Sequence, residues 1–82
     1  MSEEGDRRLA VLFGITYEEY QVVMAATVKM MEGTRIADVP VKLRKWADSH
    51  YYSDRMMMAL SFEAGVVVGM SVMKKEMDEH GR

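Results

Sequence analysis

Met56-Met57-Met58-Ala59-Leu60-Ser61-Phe62-Glu63-Ala64-Gly65-Val66-Val67-Val68-Gly69-Met70-Ser71-Val72-Met73 is a run of eighteen residues that carries one charge, Glu63. A run this long, without proline, exceeds a strand and reads as a helix that must be buried on nearly all sides. Ser61, Gly65 and Gly69 recur every four positions, so they share one helix face. A glycine inside a helix costs about 1 kcal/mol relative to alanine. Two of them at this spacing point to a steric reason, a groove into which another backbone can come close. The groove is expected either to receive a helix of the same chain or to form a seam between two copies, and the second reading is slightly favoured. Leucine at 65 or 69 is expected to overpack it, at a cost on the order of 1–3 kcal/mol.

Outward from this run, helix signals punctuate the whole chain. Ser53 is placed to cap the long helix, expected from Asp54 to about Glu79, with Tyr52 and Met57 as a staple across its start. Upstream, Asp38 is placed to cap a third helix with Pro40 in its first turn, where the missing amide hydrogen does no harm. Val39, Leu43, Trp46, Ala47 and His50 form its apolar face. Thr16 and Glu19 have the spacing of a capping box, and Ile15 and Tyr20 that of a staple. The second helix is expected to run to about Glu32 and stop at Gly33. Its buried stripe reads Tyr20, Val23, Met24, Thr27, Val28, Met30 and Met31. Asp6 and Gly14 bracket a short first helix over Arg7 to Phe13. No strand pattern, repeat or low-complexity tract interrupts this series, so the expected fold is all-α, a small bundle of about four helices with a long C-terminal helix.

Eighty-two residues make a single domain over 1–82, with 1–5 and 79–82 expected to fray. Helices of the expected lengths cannot cover a fourth helix of this length in one compact layer. Uncovered apolar surface of that size generally meets a partner, and a second copy related by a two-fold axis is the simplest one. The run around Glu63 approaches the length of a membrane span. A carboxylate near its centre is costly in lipid, however, and the methionine-rich composition favours a core helix, so a membrane is not the expected partner. The N-terminus, Met1-Ser2-Glu3-Glu4-Gly5-Asp6, is acidic and unlike a targeting peptide. Without cysteine, disulfides and thiolate metal sites are excluded. A cytoplasmic protein is expected.

The net charge of −2 leaves no overall footprint for nucleic acid. One basic cluster remains, Lys42, Arg44 and Lys45 on the third helix, with Arg35 and Arg55 at either end. In a helix-turn-helix these residues would reach phosphates or base edges. Against this, the connector before the third helix is about six residues, longer than the usual three or four, and Asp38, Asp48 and Asp54 dilute the charge. A solvated helix face is the favoured reading.

Glu63 invites two readings, a buried acid able to act as base or ligand, or a carboxylate facing solvent or paired with Arg55 or Lys74. The second is favoured. His50 and His80 have no recognised ligand spacing; His50 is expected half-buried on its helix and His80 in a frayed end. No phosphate-binding loop, nucleophile motif or pair of metal-binding carboxylates is present, so neither enzyme activity nor a cofactor or metal is expected. The function read from the sequence is a small non-catalytic interaction or regulatory module acting as a homodimer. Ser61, Gly65 and Gly69 form its seam, with Met57 and Met58 flanking it, and a protein partner is possible at Met57, Met58 and the third-helix cations. The alternative is a dimeric nucleic-acid-binding protein that uses Arg35, Lys42, Arg44, Lys45 and Arg55.

Overall fold

Four helices follow one another as the capping signals imply: α1 (Glu3–Phe13), α2 (Tyr17–Met31), α3 (Val39–Ser49) and α4 (Asp54–His80). The computed structural model describes residues 3–80, and side chains as far as Met77. Among the described residues there is no strand. The chain is a small all-α bundle, and its last helix is the longest.

The first helix begins earlier than expected. Glu3, Glu4 and Asp6 all lie in its first turn, where the exposed amide groups of a helix N-terminus favour negative charge. Arg7 pairs with Glu3 and Arg8 with Glu4 one turn apart, so the segment expected to fray is helical from Glu3 and Asp6 is not its cap. Met1, Ser2, Gly81 and Arg82 lie outside the described residues. Glu79 and His80, also expected to fray, continue the backbone of α4. At the other end of α1, Gly14 takes φ +71°. The Gly14 and Ile15 amides donate to the Val11 and Ala10 carbonyls, each at 3.0 Å, the glycine-stopped helix end. The Arg55 side chain lies across this turn, where a Cβ at position 14 would collide with its guanidinium.

The capping box of α2 is complete. The Glu19 amide donates to Thr16 Oγ1 at 3.0 Å and the Thr16 amide to Glu19 Oε1 at 2.8 Å. Its buried line is Tyr20, Val23, Ala26, Thr27 and Met30. Met24 and Met31 are half-buried at the edge, and Val28, expected on the stripe, is 65 % exposed. The reason is angular: Val28 stands five residues from Val23, well off the line that Ala26 and Met30 continue at helical spacing.

Asp38 does not cap α3 through its side chain. A 3₁₀ turn, Ile36–Asp38, runs directly into the helix, so Asp38 is already helical in backbone, and its carboxylate accepts from Arg35 Nε at 2.9 Å instead. Val39 and Ala47 are buried, and Leu43 and Trp46 half-buried against the core. The helix ends with Tyr51 at φ +56°. The Tyr52 amide donates to the Ala47 carbonyl at 3.0 Å and the Tyr51 amide to that of Asp48 at 3.3 Å, which repeats the α1 ending with tyrosine in glycine's place. Left-handed backbone at a side-chain-bearing residue costs about 1–2 kcal/mol.

Ser53 Oγ accepts the Met56 amide at 3.2 Å and starts α4, which at 1.5 Å per residue is about 40 Å long. The core forms between its first half and α2, from Val23, Ala26, Met30, Ala59, Leu60 and Ala64, with Val39 of α3 closing it. α2 packs most extensively on α4, while α1 and α3 each touch both. Phe13 of α1 meets Phe62 with ring centroids 5.4 Å apart. The Cα extents, 44 × 30 × 16 Å, describe a slab two helices thick whose long dimension is that of α4.

Candidate functional site

Two faces of α4 have opposite fates. On the inner face, Glu63 is 6 % exposed and Tyr20 is fully buried. The Tyr20 hydroxyl donates to Glu63 Oε1 at 2.5 Å. This corrects the favoured reading of Glu63 as a carboxylate that faces solvent or pairs with Arg55 or Lys74. A buried carboxylate needs a donor, and the tyrosine on the facing helix supplies one. Burial, together with the bond to Glu63 and its charge, holds the Tyr20 hydroxyl well above its ordinary pKa, and Asp6 adds to the effect. Asp6 Oδ1 is buried with no hydrogen-bond partner among the described residues. One carboxylate bound to one phenol offers no proton-transfer relay to an exposed cleft, and it reads as a structural polar pair joining α2 to α4.

The outer face is open. Ser61, Gly65 and Gly69 are all exposed, and a Cβ built on either glycine would have nothing within 4 Å. No helix of this chain fills the stripe, so the intra-chain packing weighed from the sequence is not what the fold provides. Ser61 bonds its own helix, Oγ to the Met57 carbonyl at 2.9 Å. Ser61 and Gly65 of the stripe border a groove of about 540 Å³. Val39, Pro40, Leu43 and Arg44 of α3 make one wall; Met57, Ser61, Gly65 and Val68 of α4 make the other. On the opposite side, toward α1, stand Met58 and Phe62, both exposed. Beyond the body, Val66, Met70, Val72, Met73 and Met77 are exposed in turn. By length and composition the Asp54–Met77 stretch of α4 suffices to cross a membrane, with 22 % of its most apolar part buried inside the protein.

The structure does not gather the five cations into one free patch. Arg35 pairs with Asp38 at 2.9 Å and Arg44 with Asp48 at 3.3 Å. Lys42 Nζ donates to Thr34 Oγ1 at 2.7 Å. Arg55 lies over Gly14 at the end of α1, and Lys45 is exposed on α3. His50, expected half-buried, is exposed because it sits at the very end of α3. Its ring stacks on Trp46 at 4.4 Å between centroids, and Nδ1 lies 2.9 Å from the Trp46 carbonyl. The side chain of His80 lies outside the described residues. No group of three or more His, Asp or Glu suited to a metal ion occurs among the described residues.

Sequence reasoning missed the Tyr20–Glu63 pair and the α3 wall of the groove. A signal for the first was available: Glu63 falls on the Met56–Val67 side of α4, opposite the glycine stripe, which places it among core residues and calls for a hydroxyl partner. Compared with models of known protein families, with curated proteins and with solved structures, the chain shows no significant match, so the reading of its function rests on its own residues.

Proposed function

We propose that this protein is a small, non-catalytic interaction module of regulatory type that acts as a homodimer in the cytoplasm, with the outer face of α4 as its seam. The observation that carries this reading is the open stripe: two helix-interior glycines with nothing within 4 Å, joined on the same face by exposed Met58 and Val72, while the exposed Met70, Met73 and Met77 lie around the helix on the Glu63 side. Exposed apolar surface of this extent on a soluble domain is a contact site, and the helix-weakening glycines gain a purpose only if another backbone approaches them. Met57 and Met58 border that seam. The methionines along it adapt their shape to a partner at little cost.

The nucleic-acid alternative draws less support, since two of its five cations are in ion pairs within the chain and Lys42 is bonded to Thr34. A membrane reading draws on the length of α4; against it, Glu63 is held by Tyr20 in the protein core. The test is sedimentation velocity in detergent-free buffer, paired with flotation on vesicles of neutral and anionic lipid. A reversible dimer that does not float is the expected result. A protein that floats with vesicles, or stays monomeric at every concentration, contradicts the proposal.

A further inference from the structure

Three methionines gather on the distal part of α4. Met70, Met73 and Met77 stand at i, i+3 and i+7 of one helix, which sets them within about 60° of one another around its axis. Together with Lys74 they line a shared hollow of about 280 Å³. The three are 66 %, 63 % and 69 % exposed, so this is not a core stripe, although the spacing is that of one. They lie on the Glu63 side of the helix, away from Ser61, Gly65 and Gly69. Beyond Phe62 every apolar side chain larger than valine is a methionine, so the long side chains of this hollow all carry sulfur.

From three thioethers around one hollow we infer a binding site for a soft monovalent cation, Cu(I), with Met70, Met73 and Met77 as its ligands. Thioether sulfur is a polarizable donor, and soft sulfur ligands select Cu(I) among the biological metals. Zn²⁺ takes thiolate, imidazole and carboxylate, and Ca²⁺ and Mg²⁺ take oxygen; among the described residues no such side chain lines this hollow. Met70 and Met77 are about 10 Å apart along the axis, with Met73 between them. Three rotatable bonds in each side chain let the outer two sulfurs bend toward the middle one. Lys74 opposes the site, because its ammonium repels a cation. Its side chain is exposed, however, and long enough to carry the charge out to water. Three neutral ligands leave the charge of the metal uncompensated, which a monovalent ion tolerates better than a divalent one. Binding displaces no proton, since a thioether carries none. The site goes beyond the homodimer reading and does not depend on it, because the seam uses another face of α4.

The test is an anaerobic titration of the full chain with Cu(I), supplied as its acetonitrile complex and followed by the methionine methyl resonances. It is repeated on Met73→Leu and Met58→Leu. Both methionines are exposed, and leucine keeps the apolar bulk and the helix propensity, so each substitution removes the sulfur without threatening the fold. The expected result is one Cu(I) per chain, with shifts at Met70, Met73 and Met77 and none at buried Met30. Met73→Leu should weaken binding by about tenfold or more, since even groups behind the ligands are worth that much at a metal site. Met58→Leu should bind like the parent. Affinity should also stay constant between about pH 5.5 and pH 7.5, the range in which an imidazole ligand would titrate. A parent chain that takes up no Cu(I), equal binding by parent and Met73→Leu, or an affinity that climbs with pH overturns the inference. Sedimentation reads the homodimer separately: a Met73→Leu chain that loses copper while associating like the parent is the expected outcome for two independent faces.

Discussion

Replacing Gly65 with leucine should move two properties of this protein in opposite directions. Nothing of the same chain lies within 4 Å of a Cβ at that position, so within one subunit the new side chain meets no wall. There it exchanges a poor helix former for a good one, a gain of about 0.8 kcal/mol. For a domain of this size that raises the melting temperature by about 3–6 °C. In the proposed homodimer the same side chain projects into the seam, where each copy overpacks the other. At about 1–3 kcal/mol for each inserted side chain, and two by symmetry, the dimer loses about 2–6 kcal/mol. That corresponds to about one and a half to four powers of ten in dissociation constant. The sequence alone suggested that leucine here would simply destabilise. The open geometry divides the effect into a stabler subunit and a weaker pair. Thermal melts at low micromolar concentration, combined with light scattering on a sizing column, read both quantities on one sample. A Gly65→Leu protein that associates like the parent would refute the seam, and one that melts lower when dilute would show that the glycine is already packed within its own chain.

Tyr20→Phe leaves the Glu63 carboxylate buried without its donor and should cost about 1.5–3 kcal/mol, whereas adding Glu63→Met should recover most of that loss because both polar partners are then gone; a double-mutant cycle by urea unfolding checks this, and strict additivity would contradict it. The raised pKa of Tyr20 makes the fold sensitive to alkali. The folded chain holds that proton more tightly than the unfolded one, so its contribution is intact below the ordinary value of 10.0 and falls as pH rises beyond it. Melting temperature against pH should therefore drop less steeply above that value in Tyr20→Phe than in the parent. Tyr51 is 93 % exposed at positive φ, so Tyr51→Gly should relieve left-handed strain and stabilise the chain by about 0.5–1 kcal/mol, after the added freedom of glycine in the unfolded state is subtracted; an unchanged or lowered melting temperature would show that the side chain holds the corner through its contacts.

Much of the fold was legible because its signals are local. Thr16 with Glu19, Ser53 before α4 and the glycines at 14 and 33 each act within one turn of chain, and each does in the structure what its spacing implies. The readings that changed depend on something distant. Asp38 lost its capping role to a 3₁₀ turn that the sequence does not announce, and Val28 was misplaced because the covering helices sit over Ala26 instead. Glu63 could be placed on the core side by its register, but its partner stands on another helix. The seam is a middle case. Glycines at spacing four identify a face, while the three-dimensional path of α3 and α1 decides whether that face is covered.

Coverage of the open face of α4 by a second copy is the central claim, and hydrogen exchange measured at two protein concentrations tests it most directly. An uncovered helix segment of about a dozen residues is marginal in water, so the amides from Val66 to Met77 should exchange fast in dilute solution. They should become protected as concentration rises, while those of Tyr20 to Met30 in the core stay unchanged. Protection over 66–77 that is the same at both concentrations would contradict it.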